Sequence, residues 1–203
     1  MGKRTTSAMC VLVVGLLAGC AAEGGEPVAE VAEPEAPAFH FASGTLELGD
    51  FDPDTLGDDL FDPCTEISAE EYAAAGITGV EPEPAISSGV AEGCRTDQPE
   101  PALTRTVIAS RTTAQDAADA PEYEFARADS EVEGIYTFKN PVADPYLCVA
   151  QVDTVRGGLA IGIGVSGVKK ERIDPCQRAV DELSRLFSSS NNDGSVASED
   201  TTV

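Results

Sequence analysis

Four cysteines, Cys64, Cys94, Cys148 and Cys176, limit the folds open to this chain more than any other feature. What they do depends on the compartment, and the N-terminus predicts that compartment. Lys3 and Arg4 precede an apolar run from Ala8 to Leu17, which is the order of a secretory signal. The run is too short to cross a bilayer core about 30 Å thick, which takes about 20 helical residues. It ends in Leu17-Ala18-Gly19-Cys20, which resembles a bacterial lipobox. The expectation is a signal peptide over residues 1–19 and lipidation of Cys20 by a diacylglycerol and palmitate, the thiolate being the nucleophile. Each buried CH₂ contributes about 0.8 kcal/mol, and two or more chains hold a protein stably at a membrane.

Cys10 leaves with the signal and Cys20 carries the lipid, so four of the six cysteines remain. An even set in an exported chain implies two disulfides. Zinc is the weaker reading, because no C-x-x-C pair or Cys/His cluster occurs. Neither a metal nor a cofactor is expected.

The chain is strongly acidic, with a formal net charge of −23. Two of its 13 basic residues and none of its 36 acidic ones lie in the signal, which leaves the mature chain near −25 (11 against 36). This balance argues against nucleic acid as a partner, since phosphates demand Lys and Arg. It also disfavours lying flat on an anionic membrane. Solubility and mutual repulsion are the expected reason for the acidity, with cation binding as the alternative.

Composition then divides the chain. Ala, Glu, Pro and Gly dominate the stretch after Cys20, so residues 20–59 read as a lipidated N-terminus and a disordered acidic tether. Residues 188–203 are polar and aperiodic and read as a disordered tail. One domain remains, over residues 60–187. Within it Asp-Pro-Cys occurs at 62–64 and again at 174–176, and Asp-Pro is a helix-start signal. Ser68-Ala69-Glu70-Glu71 fits a capping box, with Gly76 as the stop. Cys176, Val180, Leu183 and Phe187 recur at helical spacing.

Between the helices the pattern is strand-like: Leu103 to Ser110, Gly134 to Phe138, Tyr146 to Val152 and Val155 to Val165. Asp153-Thr154 is read as the turn of a terminal hairpin. In the last strand Leu159, Ile161, Ile163 and Val165 share one face. Ala160, Gly162, Gly164 and Ser166 share the other, where a backbone or ligand can come close. Residues Thr112 to Ala128 read as an acidic insertion with a short helix. The fold expected is α+β: a single small domain with an antiparallel sheet of about five strands, an N-terminal and a C-terminal helix, and two disulfides.

The lipobox, the acidic Pro/Ala tether, "DPCTEIS" before a short helix, "GC" about thirty residues later and "DPCQRAVDELSRLF" together resemble the DUF3558 family of actinobacterial lipoproteins. The resemblance spans about Phe61 to Phe187. It implies an extracytoplasmic, lipid-anchored domain with paired cysteines and carries no catalytic residues. One departure is Gly93-Cys94-Arg95-Thr96, which lacks the aromatic residue the family often has after the second cysteine. Cys64–Cys94 with Cys148–Cys176 would tie each helix to a strand nearby in sequence. Cys64–Cys176 with Cys94–Cys148 would instead join the two helix starts, and the sequence leaves both open.

Chemical motifs are few. Gly162 to Gly167 matches G-x-G-x-x-G, but that fingerprint needs a helix opening at its third glycine, and the next helix signal is at Asp174. Asp50, Asp52 and Asp54 begin like a calcium loop, yet Thr55 and Phe61 stand where the Gly and Glu of such a loop belong. The single histidine, His40, falls in the tether, which rules out a Ser-His-Asp arrangement inside the domain. The basic residues between the helices, Arg95, Arg105, Arg111, Arg127, Arg156, Lys169 and Lys170, read as surface ion pairs worth under about 1 kcal/mol each. The functional expectation is a non-enzymatic interaction or scaffold module. It would be held by its lipid on the extracytoplasmic face of the bacterial cell membrane, with an envelope protein as partner. The alternative is a carrier of a small apolar or lipidic ligand held between the helices and the sheet.

Overall fold

The two Asp-Pro-Cys motifs each start a helix, and the reason is local. In the computed structural model, which describes residues 36–86, 90–167 and 172–192, Asp62 caps helix α1 (Pro63–Glu66) by accepting from the Cys64 amide at 2.9 Å. Asp174 does the same for the Cys176 amide, also at 2.9 Å, at the start of helix α4 (Pro175–Asn192). Helix α2 (Ala69–Ala74) opens with the expected capping box between Ser68 and Glu71. The chain leaves it through Gly76 at a φ of 76°, a left-handed conformation that favours glycine. Helix α3 (Ala114–Asp119) opens with a second capping box, Thr113 with Asp116.

The strands form two sheets. A hairpin of β1 (Ala38–Phe41) and β2 (Gly44–Glu47) stands apart from an antiparallel sheet of seven strands. The latter comprises β3 (Glu81–Pro82), β4 (Ala91–Arg95), β5 (Leu103–Ser110), β6 (Glu124–Arg127), β7 (Tyr136–Lys139), β8 (Leu147–Thr154) and β9 (Gly157–Val165), in the order β3-β4-β5-β9-β8-β7-β6. The mixed α+β architecture and the two disulfides match the sequence expectation, but the strand count does not. About five strands and two helices, with a short helix in the 112–128 insertion, were expected; the described residues form seven strands plus a separate pair, and four helices, of which α3 lies in that insertion. The unanticipated strands β3, β4 and β6 have only two, five and four residues, too few for an alternation to stand out from the surrounding sequence. The hairpin turn is also displaced. Thr154 pairs with Gly157, so Val155 and Arg156 make the turn and Asp153-Thr154 belongs to β8.

The two ends of the domain need correction as well. Residues 38–47 were assigned to a disordered tether, yet Phe39, Phe41 and Leu46 are buried in the core. Phe39 meets Phe187 edge-on at 5.0 Å, and Phe41 stacks on Phe61 at 5.8 Å. Three large apolar side chains within eight residues are enough to dock a hairpin, at about 1.5–3 kcal/mol for each fully buried. Residues 188–192 were assigned to the tail, yet α4 runs on to Asn192. The hydroxyls of Ser188, Ser189 and Ser190 donate to the carbonyls of Ser184, Leu186 and Phe187, and Asn191 donates to Ala38 on β1 at 3.0 Å. Polar side chains thus bind the last turn to backbone instead of breaking it. Residues 48–59, also assigned to the tether, are ordered against the domain: Leu48 bridges Thr154 and Leu56 is buried. Cys20, the signal, tether residues 20–35 and tail residues 193–203 lie outside the described residues. Among the described residues no helix is long and apolar enough to cross a membrane.

The core lies on one face of the large sheet. Leu159, Ile161 and Ile163 of β9, with Val107 of β5 and Ala150 and Val152 of β8, meet Ala179, Val180, Leu183 and Leu186 of α4 in one cluster. Within it Arg105 of β5 and Glu182 of α4 are paired at 2.8 Å, both buried. Arg105 was expected at the surface. It is drawn inward because its strand alternation puts it on the helix-facing side, opposite Ile163.

Candidate functional site

Strand alternation leaves a second face to the sheet, pointing away from α4, and two things happen on it. Around Gln151 and Asp153 it is covered. Gln151 donates to the Thr112 carbonyl at 2.7 Å, and Asp153 accepts from the Ala114 amide at 3.0 Å, which fixes α3 over that half. Tyr136 donates to Asp153 at 2.7 Å and Ser110 to Gln151 at 3.0 Å. Burial, reinforced by the neighbouring Asp153 carboxylate, pushes the Tyr136 phenol well above its ordinary pKa. The network is internally satisfied, and it orients α3 and its loop.

The other half is open. The register sets Phe138 beside Val149, Val149 beside Gly162, and Gly162 beside Thr106; in the next row Leu147, Gly164 and Thr104 stand side by side. The glycines are not vacant. A Cβ at Gly162 would come within 2.6 Å of the Thr106 hydroxyl, and one at Gly164 within 2.6 Å of the Thr104 hydroxyl. The threonines lean over the glycines and the strip is flat. Beside it, Tyr123, Phe138, Leu147 and Val149, with the charged Lys139 and Asp144, line a groove of about 270 Å³. Leu147 is 40% exposed and Val142, in the loop after β7, is 93% exposed. Four aromatic rings adjoin the groove: Tyr123 lies 5.3 Å from Phe138, Phe125 5.4 Å from Tyr136, and Tyr136 6.2 Å from Phe138. Sequence reasoning identified the glycine face but not this aromatic margin. The signal available was Tyr123-Glu124-Phe125, an alternation hidden in acidic sequence.

A larger hollow, about 410 Å³, opens at the opposite end of the strands, where Leu48 of the hairpin bridges Thr154. Asp50, Glu133, Asp153 and Arg127 stand on its wall. Among the described residues no three His, Cys, Asp or Glu side chains are grouped so as to hold a metal ion.

The structure separates the remaining sequence candidates. Cys64 bonds to Cys94 and Cys148 to Cys176, so each helix start is tied to a strand and the pairing that joins the two helix starts is excluded. Near Cys94, Ile86 packs over Gly93, where a Cβ would come within 2.5 Å of it. Gly162 and Gly164 lie inside β9, and the next helix among the described residues begins at Pro175. The geometry of a dinucleotide fingerprint is therefore not formed. Asp52 accepts from the Asp54 amide at 2.9 Å and is part of a turn. His40 sits exposed on β1 beside Thr45. Of the basic residues, Arg95 pairs with Glu81 at the surface and Arg156 with Glu66 at 2.6 Å. Arg127 lies over the rings of Phe125 and Tyr136 at 5.6 and 5.7 Å. Lys169 and Lys170 lie outside the described residues.

The family model described as "Protein of unknown function (DUF3558)" covers residues 15–187. No curated protein and no solved structure matches the chain. The family match spans most of the sequence, including both disulfides, the whole large sheet and the start of α4, and the chain belongs to the DUF3558 family.

Proposed function

We propose that the chain is a lipid-anchored protein of the extracytoplasmic face of the bacterial cell membrane, acting there as a non-enzymatic interaction module of the cell envelope. The observation that carries this reading is the open half of the sheet's outer face, where Phe138, Leu147 and Val149 remain accessible around a groove of about 270 Å³. Contiguous exposed apolar surface rimmed by polar groups is a mark of an interaction site. Leu48, just after β2, bridges the Thr154 end of β8, and the groove lies at the Leu147 end of the same strand.

The partner fitted to this face is a protein surface with an apolar centre and basic surroundings, given the net charge of −23 and the steering that opposite charge provides. A second reading, a small apolar ligand, draws on the same groove. The space between α4 and the sheet is filled by Leu159, Ile161, Leu183 and Leu186, each at most 1% exposed. A ligand would therefore sit on the outer face, in a groove at the lower limit of about 300 Å³ for small-molecule pockets. Mass spectrometry of protein extracted from native membranes tests the anchor, with acylated Cys20 as the expected N-terminus. A photo-cross-linker at Leu147 tests the face. A recurrent envelope protein adduct is expected, whereas a lipid-only adduct would move the assignment to the second reading.

A further inference from the structure

The large sheet has two edges, and they differ. β3, at one end, is two residues long and carries Pro82, a residue without a backbone donor and a common way of blunting an edge. β6, at the other end, has four residues, Glu124-Phe125-Ala126-Arg127, and no proline. The direction of its backbone groups follows from one bond. Ala128 donates to the Ile135 carbonyl at 3.0 Å, continuing the register in which Arg127 faces Tyr136. Antiparallel pairs alternate between bonded and non-bonded. Ala126 and Glu124 therefore bond to β7, while the amides and carbonyls of Phe125 and Arg127 turn outward, where no further strand lies among the described residues.

The surroundings select a partner. From Ala114 to Glu133 there are seven acidic residues and one basic one, Arg127, and all seven carboxylates are exposed. A second copy of this chain would set like charges against each other, which costs stability across a strand pair. The two faces of the edge also differ. Phe125 lies on the outer face with Tyr136 and Phe138, next to the groove, whereas Glu124 and Ala126 are exposed on the other side. A strand laid along this edge would therefore meet aromatic rings with every second side chain and carboxylates with the alternate ones.

We propose that β6 is a docking edge, which an extended partner segment of alternating apolar and basic residues joins as an eighth strand. This rests on the outer face being the binding face, and it adds the mode: main-chain pairing for affinity, with alternate side chains for specificity. The probe is a synthetic peptide of alternating lysine and valine, added to the oxidised full-length chain and followed by amide hydrogen exchange. Exchange at the Phe125 and Arg127 amides should slow by about fivefold or more, the mark of newly bonded backbone. A peptide N-methylated at alternate residues should give no protection. Glu122→Lys with Asp129→Lys should weaken binding about tenfold, and added salt should do likewise. Arg127→Pro removes an outward amide that β7 does not use, so it should abolish protection at Phe125, whereas Arg127→Ala, which loses the same contacts with the Phe125 and Tyr136 rings but keeps the amide, should retain it.

Equal binding by the N-methylated peptide, or no protection on β6, overturns the proposal. Protection that appears with protein concentration alone would make the occupant a second copy and also overturn it. Protection confined to Leu147, Val149 and Gly162 would end edge docking while leaving the outer face as the binding face. Silence on the whole sheet, together with failed cross-linking from Leu147, would end both readings.

Discussion

Nη1 of Arg105 on β5 donates to Oε2 of Glu182 on α4 at 2.8 Å, and the two side chains are only 2% and 1% exposed. The remaining donors of Arg105 reach Thr96 at 2.9 Å and the carbonyls of Gly76 and Asp97, while Arg178 donates to the other Glu182 oxygen at 2.7 Å. One ion pair thus joins α4, β5, the end of α2 and the loop after β4. Burying both charges is costly, so the pair itself adds little net stability, but separating the partners leaves a buried charge unpaired. Arg105→Ala should destabilise the protein by about 3–5 kcal/mol. Arg105→Met with Glu182→Met should recover most of that loss. Urea unfolding followed by circular dichroism decides it; additive losses in the double variant would contradict the account.

The disulfides should act on the unfolded chain. Cys64–Cys94 and Cys148–Cys176 span 30 and 28 residues, and closing loops of that length contributes roughly 3–4 kcal/mol each in the chain-entropy picture. Replacing either pair by alanine should lower stability by that order and leave the sheet intact. Equal unfolding midpoints for the oxidised protein and both variants would show that the loops are already restrained without the bonds.

Legibility in the sequence followed how many residues a feature needs. The helix starts were readable because Asp62, Ser68 and Asp174 act on amides two or three residues away, and β5, β8 and β9 because eight or nine residues repeat one pattern. The β1–β2 hairpin was hidden: Phe39 and Phe41 stand in Ala-, Glu- and Pro-rich surroundings, and only the distant Phe61 and Phe187 explain them. β6 was hidden by its acidic neighbours. The glycine face of β9 was legible, but the rings beside it come from β6 and β7, which pairing alone brings together.

Acid should unfold the protein through a small set of carboxylates. Partial burial opposes ionisation of Glu66, but the bonds from Arg156 and from the Asp62 amide outweigh it and hold its pKa below the ordinary 4.5. Glu71 behaves alike, with the Ser68 and Ala42 amides outweighing burial. Asp116 is lowered by the Thr113 amide and hydroxyl. Each group binds a proton more readily in the unfolded chain, so its contribution is complete above the ordinary carboxylate range and is lost as pH falls through the lowered values. Stability should therefore fall below about pH 4.5, and Glu66→Gln should flatten that limb. An identical acid limb in Glu66→Gln and Glu71→Gln would refute the assignment.

Two glycines of β9 on the same face should respond differently to alanine. At Gly158 the new Cβ would lie 1.9 Å from the Gln151 amide nitrogen, which is committed to Thr112, Tyr136 and Asp153. Gln151 is fully buried, so moving it breaks bonds that water cannot replace. At Gly162 the nearest atom is the Thr106 hydroxyl at 2.6 Å, on a half-buried side chain beside the open strip, and one χ1 rotation clears it. Gly158→Ala should cost about 1–3 kcal/mol by overpacking and lost hydrogen bonds, with α3 loosened. Gly162→Ala should cost under about 1 kcal/mol. Hydrogen exchange of the α3 amides separates the cases: faster exchange is expected for Gly158→Ala alone, and equal exchange in both variants would show that the Gln151 network does not hold α3 on the sheet.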